Sequence, residues 1–307
     1  MDYGPTLLKV IKGKDQNSFR HTMIDLHTHS TASDGTLSPE ALVELAAKQG
    51  ITAIALTDHE TVTGVVSAQE RGKDLGVEVV SAVEIGASLD KVGEVHLLGY
   101  FINTRDESLL DCLEWLREER RSRGRKIVER LRELGALITF EQVEKIAQGE
   151  SLGRPHIAQA LVDNGQATSV KKAFEIYLKS TGPANIKREQ LEADEAISLI
   201  RRAGGIAVLA HPCTVGGQSD ELPRVIGLLM ELGLEGIEVF YSQHNAKQVS
   251  YYKKLATVSG LLMTTGSDFH GSNKPDIKMG QSIQRAPAGI LQKLREAANS
   301  RSVAYSS

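Results

Sequence analysis

From Met23 onward, short apolar runs alternate with longer stretches whose apolar positions recur at helical spacing. Met23–Leu26 is the first such run. Ser38-Pro-Glu40 then supplies an N-cap, a proline at the first helical position and an acidic first turn. The helix it opens carries Leu42, Leu45 and Ala46 along one side and stops at Gly50. Ile51–Leu56 reads as a buried strand, Thr61–Leu75 as a helix ending at Gly76, and Val77–Val83 and Glu94–Phe101 as two further strands. The alternation returns late in the chain with helix Ala193–Ala203, strand Gly205–Ala210, helix Leu222–Leu232 and strand Gly236–Phe240. Helix Ala246–Ser259, strand Leu261–Thr265 and a last helix Leu291–Ser300 complete it. Seven strands mostly joined by helices predict an α/β fold with a parallel sheet, open or closed into a barrel.

Between Thr104 and about Glu192 the strand signal disappears, and residues 107–134, 140–148, 155–164 and 169–180 have helical patterns. Such a stretch is too long for a loop. It predicts a helical insertion over 104–192, with 23–103 and 193–307 as the two parts of one sheet domain and 1–22 as an N-terminal extension. The insertion follows the strand that carries His96, a position from which it would overhang that strand's end.

Composition narrows the function classes. The 307 residues are 41% apolar and 24% charged, as in a soluble globular protein. A net charge of −3 gives no overall attraction to nucleic acid or to an anionic membrane. Cys112 and Cys213 lie far apart and form no CxxC pair, which suits free thiols in a reducing compartment. No apolar run approaches the roughly 20 residues that span a bilayer, and the first 22 residues lack the apolar segment of a signal peptide. The expected location is the cytoplasm.

The candidate chemistry lies in the histidines. Six of the nine fall in or just after strand-like runs: His27 and His29 in Ile24-Asp-Leu-His-Thr-His-Ser30, His59 in Leu56-Thr-Asp-His59, His96 in Val95-His-Leu-Leu98, His211 in Val208-Leu-Ala-His-Pro212 and His270 in Gly266-Ser-Asp-Phe-His270. Asp34, Glu84 and Asp268 accompany them. His27 and His29 are two apart, so an extended strand points both to the same side. Taken singly, each residue has a plain structural reading: a strand-end histidine in the core, Asp34 as a turn former, Asp268 as a helix cap. Taken together, at what look like matching strand ends, they point to a polynuclear metal site of nitrogen and oxygen ligands. There is no GxSxG or P-loop pattern to suggest another mechanism.

These motifs, with Ser33-Asp-Gly35, Ala210-His-Pro212 and Gly266-Ser-Asp-Phe-His-Gly271, resemble the PHP (polymerase and histidinol phosphatase) superfamily from about Met23 to Lys278. Gly153-Arg-Pro-His156 and Tyr241-Ser-Gln-His244 are most similar to its stand-alone members acting on nucleotides and short RNA. The resemblance implies a distorted (β/α)7 barrel with two to three divalent ions at its mouth, Mn, Fe or Zn before Mg. His27, His29, Glu84 and Asp268 would hold the first ion. Glu84 would bridge to a second held by His96 and His211, and Asp34, His59 and His270 would hold the third. It also implies hydrolysis of a phosphate ester by hydroxide that the ions generate from water. Asp25 and Asp58, beside ligands, would either orient imidazoles or serve the structure alone.

The substrate expected is a small phosphorylated nucleotide or short 5′-phosphorylated oligonucleotide, with neither long duplex nucleic acid nor membrane as partner. Arg154, ahead of Pro155 at a helix N-terminus, and His156 are candidates to grip phosphate. The basic run Arg117–Arg132 would mostly be a solvated helix face, with Arg123 and Arg125, flanking Gly124, the candidates to face inward. His244 is either a proton donor or phosphate contact, or a surface histidine. Two other activities compete: a histidinol-phosphate phosphatase, which needs no helical canopy, and a non-catalytic metal-stabilised binding module, which predicts missing ligands.

Overall fold

The structure, a computed structural model, describes residues 23–304 apart from 148–150, 180, 188, 216–220 and 282–285. The extension expected over 1–22 lies outside the described residues. Strand β1 (Ile24–Thr28), helix α1 (Pro39–Lys48), β2 (Ala53–Leu56), α2 (Val65–Leu75) and β3 (Glu78–Leu89) form two parallel βαβ steps. Helix α1 starts where its sequence signal lies, with Ser38 Oγ accepting from Ala41 N–H at 3.2 Å. Strand β4 (Gly93–Tyr100) turns straight back, antiparallel to β3. The insertion follows as α3 (Glu107–Glu133), α4 (Phe140–Ala147), α5 (Arg154–Asp163) and α6 (Val170–Ala173), the last opening into a π-turn over Phe174–Leu178. A two-residue strand β5 (Leu191–Glu192), absent from the sequence reading, pairs with β3. Then come α7 (Ala193–Arg202), β6 (Ile206–Leu209), α8 (Leu222–Glu231), β7 (Gly236–Tyr241), α9 (Ala246–Ser259), β8 (Leu262–Gly266) and α10 (Ile290–Ala304).

Seven strands run around the sheet in the order β1-β2-β3-β4-β6-β7-β8. The residues after β8 bring its two ends together: Asp268 N–H donates to His27 O at 2.8 Å and His29 N–H to Phe269 O at 2.9 Å. The result is a nearly closed α/β barrel, distorted at one strand. The sequence reading expected parallel strands, but β4 is antiparallel to both β3 and β6. The three residues between β3 and β4 are too few for a parallel crossover, which needs a dozen or more. Among the described residues, no helix is long and apolar enough to cross a membrane.

The reversal of β4 decides how the insertion reaches the barrel mouth. The register Gly86↔His96 and Ala82↔Tyr100 puts the first half of β4 at the mouth and its end, Tyr100, towards the floor. Helix α3 must therefore climb back, and its 27 residues make it about 40 Å long. Leu109, Leu113 and Leu116 in its first half join the barrel core. Ile127, Val128 and Leu131 in its second half join a separate core with α4, α5 and the π-turn. All six are at most 2% exposed, and each contributes about 1.5–3 kcal/mol by burial. Helix α3 thus carries the chain back from the floor towards the mouth and links the two cores.

Candidate metal centre

The carboxylate of Glu84, 1% exposed, is the hub of the mouth. Its Oε2 lies 3.1 Å from His27 Nε2, 3.1 Å from His29 Nε2 and 3.4 Å from His59 Nδ1. Its Oε1 lies 2.7 Å from His96 Nδ1 and 3.0 Å from His211 Nε2. Asp268 Oδ1 faces the first two histidines at 3.6 and 3.4 Å. Asp34 Oδ1 is 3.2 Å from His270 Nε2 and 3.8 Å from His29 Nδ1, and Asp34 Oδ2 is 3.9 Å from His59 Nε2. Three sets result, each with donor atoms within 4.8 Å of one another: His27, His29, Glu84 and Asp268; His29, Asp34, His59 and His270; and His59, Glu84 and His96. All nine predicted ligands are brought together, His211 through Glu84.

Tetrahedral ligands at about 2.1 Å from an ion stand about 3.4 Å apart. The four His-to-carboxylate separations of the first set, 3.1 to 3.6 Å, match that spacing. Both ring nitrogens of His29 and Nδ1 of His59 are buried without a hydrogen-bond partner among the described residues. Leaving such groups unsatisfied costs about 1–3 kcal/mol each. A divalent cation held through one nitrogen of each ring removes that cost at the ligating atoms, so the donor set fits one.

The electrostatics agree. Burial opposes charge on His29, but the adjoining Asp268 and Glu84 carboxylates more than reverse it and lift its pKa to about 9. His96 is lifted to about 9, against burial, by Glu84 and Glu94. Burial would raise Glu84, yet His59, His27 and His96 hold it well below the ordinary carboxylate range. The carboxylates that draw protons to His27, His29 and His96 equally attract a cation, while burial holds His59 and His270 below the ordinary imidazole range.

Local structure explains how the ligands arrive. His96 is near the start of β4, not at a strand's C-terminal end as the sequence reading placed it; the reversal of β4 brings it to the same mouth. Glu84 lies inside β3 rather than at its end. Gly35 lets the Asp34 turn press on β1, since a Cβ there would sit 2.2 Å from His29 O. A Cβ on Gly266 would sit 2.2 Å from His27 Cβ and 2.7 Å from Glu238 Oε1.

Asp25 and Asp58 take the structural option. Asp25 accepts from Ser267 N–H at 2.8 Å and Gly280 N–H at 2.7 Å, and Asp58 accepts from Ser30 and Ser33. The imidazole is oriented instead by a residue the sequence reading missed. Glu238, fully buried, accepts from His27 Nδ1 at 3.1 Å and from His211 N–H at 2.8 Å. Tyr241 Oη and Lys274 Nζ, also missed, donate to Asp268 Oδ2 at 2.9 and 2.6 Å. They leave Oδ1 to face the histidines, and Asp268 itself has a left-handed backbone conformation, φ 58°.

Above the centre lies a cleft of about 140 Å³ whose walls include Asp34, His59 and His96 below and Arg120, Arg123 and Arg154 from the insertion. Arg154 opens α5 as predicted, its guanidinium 5.9 Å from the Phe174 ring. Arg125 does not share the cleft with Arg123. It is exposed and stacks at 4.8 Å over Phe140, because residues two apart on a helix face opposite ways. His156 does not line this cleft. Its Nδ1 accepts from Gly153 N–H at 3.0 Å, capping α5, and its ring lines a smaller cleft beyond Pro155. His244 is neither at the surface nor in the cleft. It is 2% exposed, behind Tyr241, with Nδ1 donating to Val239 O at 3.0 Å. Arg123 also donates through Nε to Ile186 O at 2.6 Å, and along the basic run Arg117 donates to the backbone carbonyl of Glu60, while Arg120 pairs with the Glu60 carboxylate, Arg121 with Glu144 and Arg130 with Glu133.

A family model described as PHP domain matches residues 25–189, more than half of the chain. The chain belongs to the PHP domain family. Among PHP-type relatives, the 5′-3′ exoribonuclease Rnm of Escherichia coli K12 is 32% identical over 268 residues, covering 87% of this chain and 90% of the relative. The 3′,5′-nucleoside bisphosphate phosphatase of Chromobacterium violaceum is 29% identical, covering 86% and 93%. A solved structure described as an amidohydrolase from Chromobacterium violaceum with bound sulfate and no metal superposes with a TM-score of 0.77 at 30% identity, covering 81% of this chain and 88% of that one.

Proposed function

We propose that this PHP chain is a phosphoesterase that hydrolyses a nucleotide or short 5′-phosphorylated oligonucleotide, using two to three divalent ions held by the nine ligands. The observation that carries the reading is the division of Glu84. One oxygen faces His27, His29 and His59, the other His96 and His211, as a carboxylate between two ions requires. Mixed imidazole and carboxylate ligands suit Mn, Fe or Zn better than Mg. When bound, such ions supply Lewis acidity towards a phosphoryl oxygen and lower the pKa of water.

The residues of the chain divide the remaining work. Glu238 fixes the ring of His27 so that Nε2 points to the centre. Tyr241 and Lys274 fix Asp268. Arg154 and Arg123, on the insertion, stand across the cleft from the ligands and bind phosphate oxygens that the carboxylates alone would repel. Water adds to phosphorus, the P–O bond to the alcohol breaks, and the leaving oxygen takes up a proton. The insertion, 104–192, acts as the canopy that limits solvent around this step. The nucleotide class is supported by the two relatives, named for RNA and for a nucleoside bisphosphate.

The test is phosphate release, with nucleotide products resolved, from a nucleoside 3′,5′-bisphosphate, a mononucleotide, histidinol phosphate and a 5′-phosphorylated RNA trimer. Turnover of the bisphosphate or trimer supports the proposal. Preference for histidinol phosphate, or inactivity of a metal-loaded chain on every substrate, would overturn it.

A further inference from the structure

A second, larger groove of about 610 Å³ continues outward from the metal cleft, and Glu94, Arg123 and Arg154 line both. One wall is α3, carrying Arg123 and Trp115; the other runs through Asn185, Lys187 and Gln190 to β5. Trp115 is 40% exposed. Among the described residues, no aromatic ring or cation packs on its indole. It stands eight residues before Arg123 on the same helix, about 12 Å along the axis. An exposed indole sharing one groove with Arg123, Arg154 and Lys187, in a groove that leads from the proposed phosphoesterase centre, combines the aromatic and cationic groups that bind single-stranded nucleic acid. The groove also carries Glu94, Glu189 and Glu192, so its basic residues are offset and stacking is what it offers the strand.

We infer that Trp115 forms a base-stacking subsite for the 3′ continuation of an oligonucleotide whose 5′ end lies in the metal cleft. A base that reaches Trp115 belongs to a nucleotide downstream of the one being hydrolysed. The subsite therefore favours short oligonucleotides over mononucleotides and leaves mononucleotide turnover alone. This inference rests on the nucleotide reading above.

Trp115 is the only tryptophan in the chain, so its fluorescence reports this groove alone. The experiment mixes the metal-loaded full chain with a 5′-phosphorylated RNA pentamer or a nucleoside 3′,5′-bisphosphate in stopped flow, reading fluorescence before turnover. Steady-state kinetics of Trp115→Ala and Trp115→Phe accompany it. The pentamer quenches the fluorescence and the bisphosphate does not. Trp115→Ala raises KM for the pentamer about 5- to 150-fold, the range for one stacked base, and leaves kcat and the bisphosphate KM within about twofold. Trp115→Phe restores most of the loss. Unaltered fluorescence with the pentamer, or an unchanged pentamer KM in Trp115→Ala while both substrates are turned over, overturns the inference. Turnover of neither substrate by the wild-type chain overturns the functional reading instead, and the fluorescence, which needs no turnover, still decides the groove.

Discussion

Replacing Glu238 with glutamine tests the least visible part of the metal centre. The carboxylate accepts two hydrogen bonds, from His27 Nδ1 and from His211 N–H. The glutamine amide is the same size but has one accepting oxygen. If that oxygen keeps the His211 N–H, the amide NH2 faces His27 Nδ1 and donates to it. The proton on His27 then moves to Nε2, the nitrogen that points at Glu84 and Asp268, and its lone pair is lost to a metal. If the amide is turned the other way, its NH2 meets the buried His211 N–H, donor against donor. Either arrangement loses a hydrogen bond to a charged acceptor, about 1.5–3 kcal/mol. In metal affinity that is about 10- to 150-fold, close to the 10- to 100-fold usual for partners that orient ligands. The assay is competition for metal against a chromogenic chelator, with metal content measured after desalting and far-UV circular dichroism as the control for folding. A folded Glu238→Gln chain that binds metal within about twofold of wild type would refute the reasoning.

Other outcomes follow from the same geometry. Asp268→Asn leaves the fold intact but lowers hydrolysis by more than about 100-fold, the upper range for ligand partners alone, and wild-type turnover at saturating metal would sink the site assignment. Arg154→Ala raises KM for nucleotide substrates about 10-fold or more without changing metal content, whereas Arg125→Ala, on the outer face of α3, changes neither. In the metal-free chain, His29 and His96 have folded pKa values raised to about 9 from 6.5. Their contribution to stability is complete below pH 6.5 and is lost as pH rises through about 9. The melting temperature of the metal-free chain should fall between pH 7 and 10, and more steeply than that of the loaded chain. Metal uptake displaces those protons, so affinity should rise with pH over the same interval, with proton release measurable by calorimetry in buffers of different ionisation enthalpy.

Eight of the nine candidate ligand positions stand out in the sequence because each breaks a local rule, a polar ring or acid set in or beside an apolar run, whereas Asp34, in the polar turn Ser33-Asp-Gly35, stands out only by following His27 and His29 closely. Glu238 breaks the same rule within Gly236–Tyr241, and the reasoning that singled out Glu84 would have found it. Lys274 gives no such signal. It lies in a polar stretch where a lysine is ordinary, and only the path of the chain after β8 carries it to Asp268. The direction of β4 was not legible either, since the apolar pattern of a buried strand is the same in both orientations. Pairing Arg123 with Arg125 failed on simple geometry, for a helix cannot turn both towards one cleft. Gly153-Arg-Pro-His156 opens a helix where the sequence placed one, and its histidine caps that helix through Nδ1.

Helix α3 belongs to both hydrophobic cores, which makes its angular phase a property of the whole enzyme. Adding a single residue between Leu116 and Arg123 would turn everything beyond it by about 100° and advance it about 1.5 Å. The barrel end would keep its packing, but Arg123 would swing out of the cleft and the second core would have to be re-seated. An addition of seven residues, about two turns, would restore the phase while lifting the canopy by roughly 10 Å. Length variation in this segment should therefore come in steps near whole turns, a spacing rule that comes from a shared helix rather than from the chemistry beneath it.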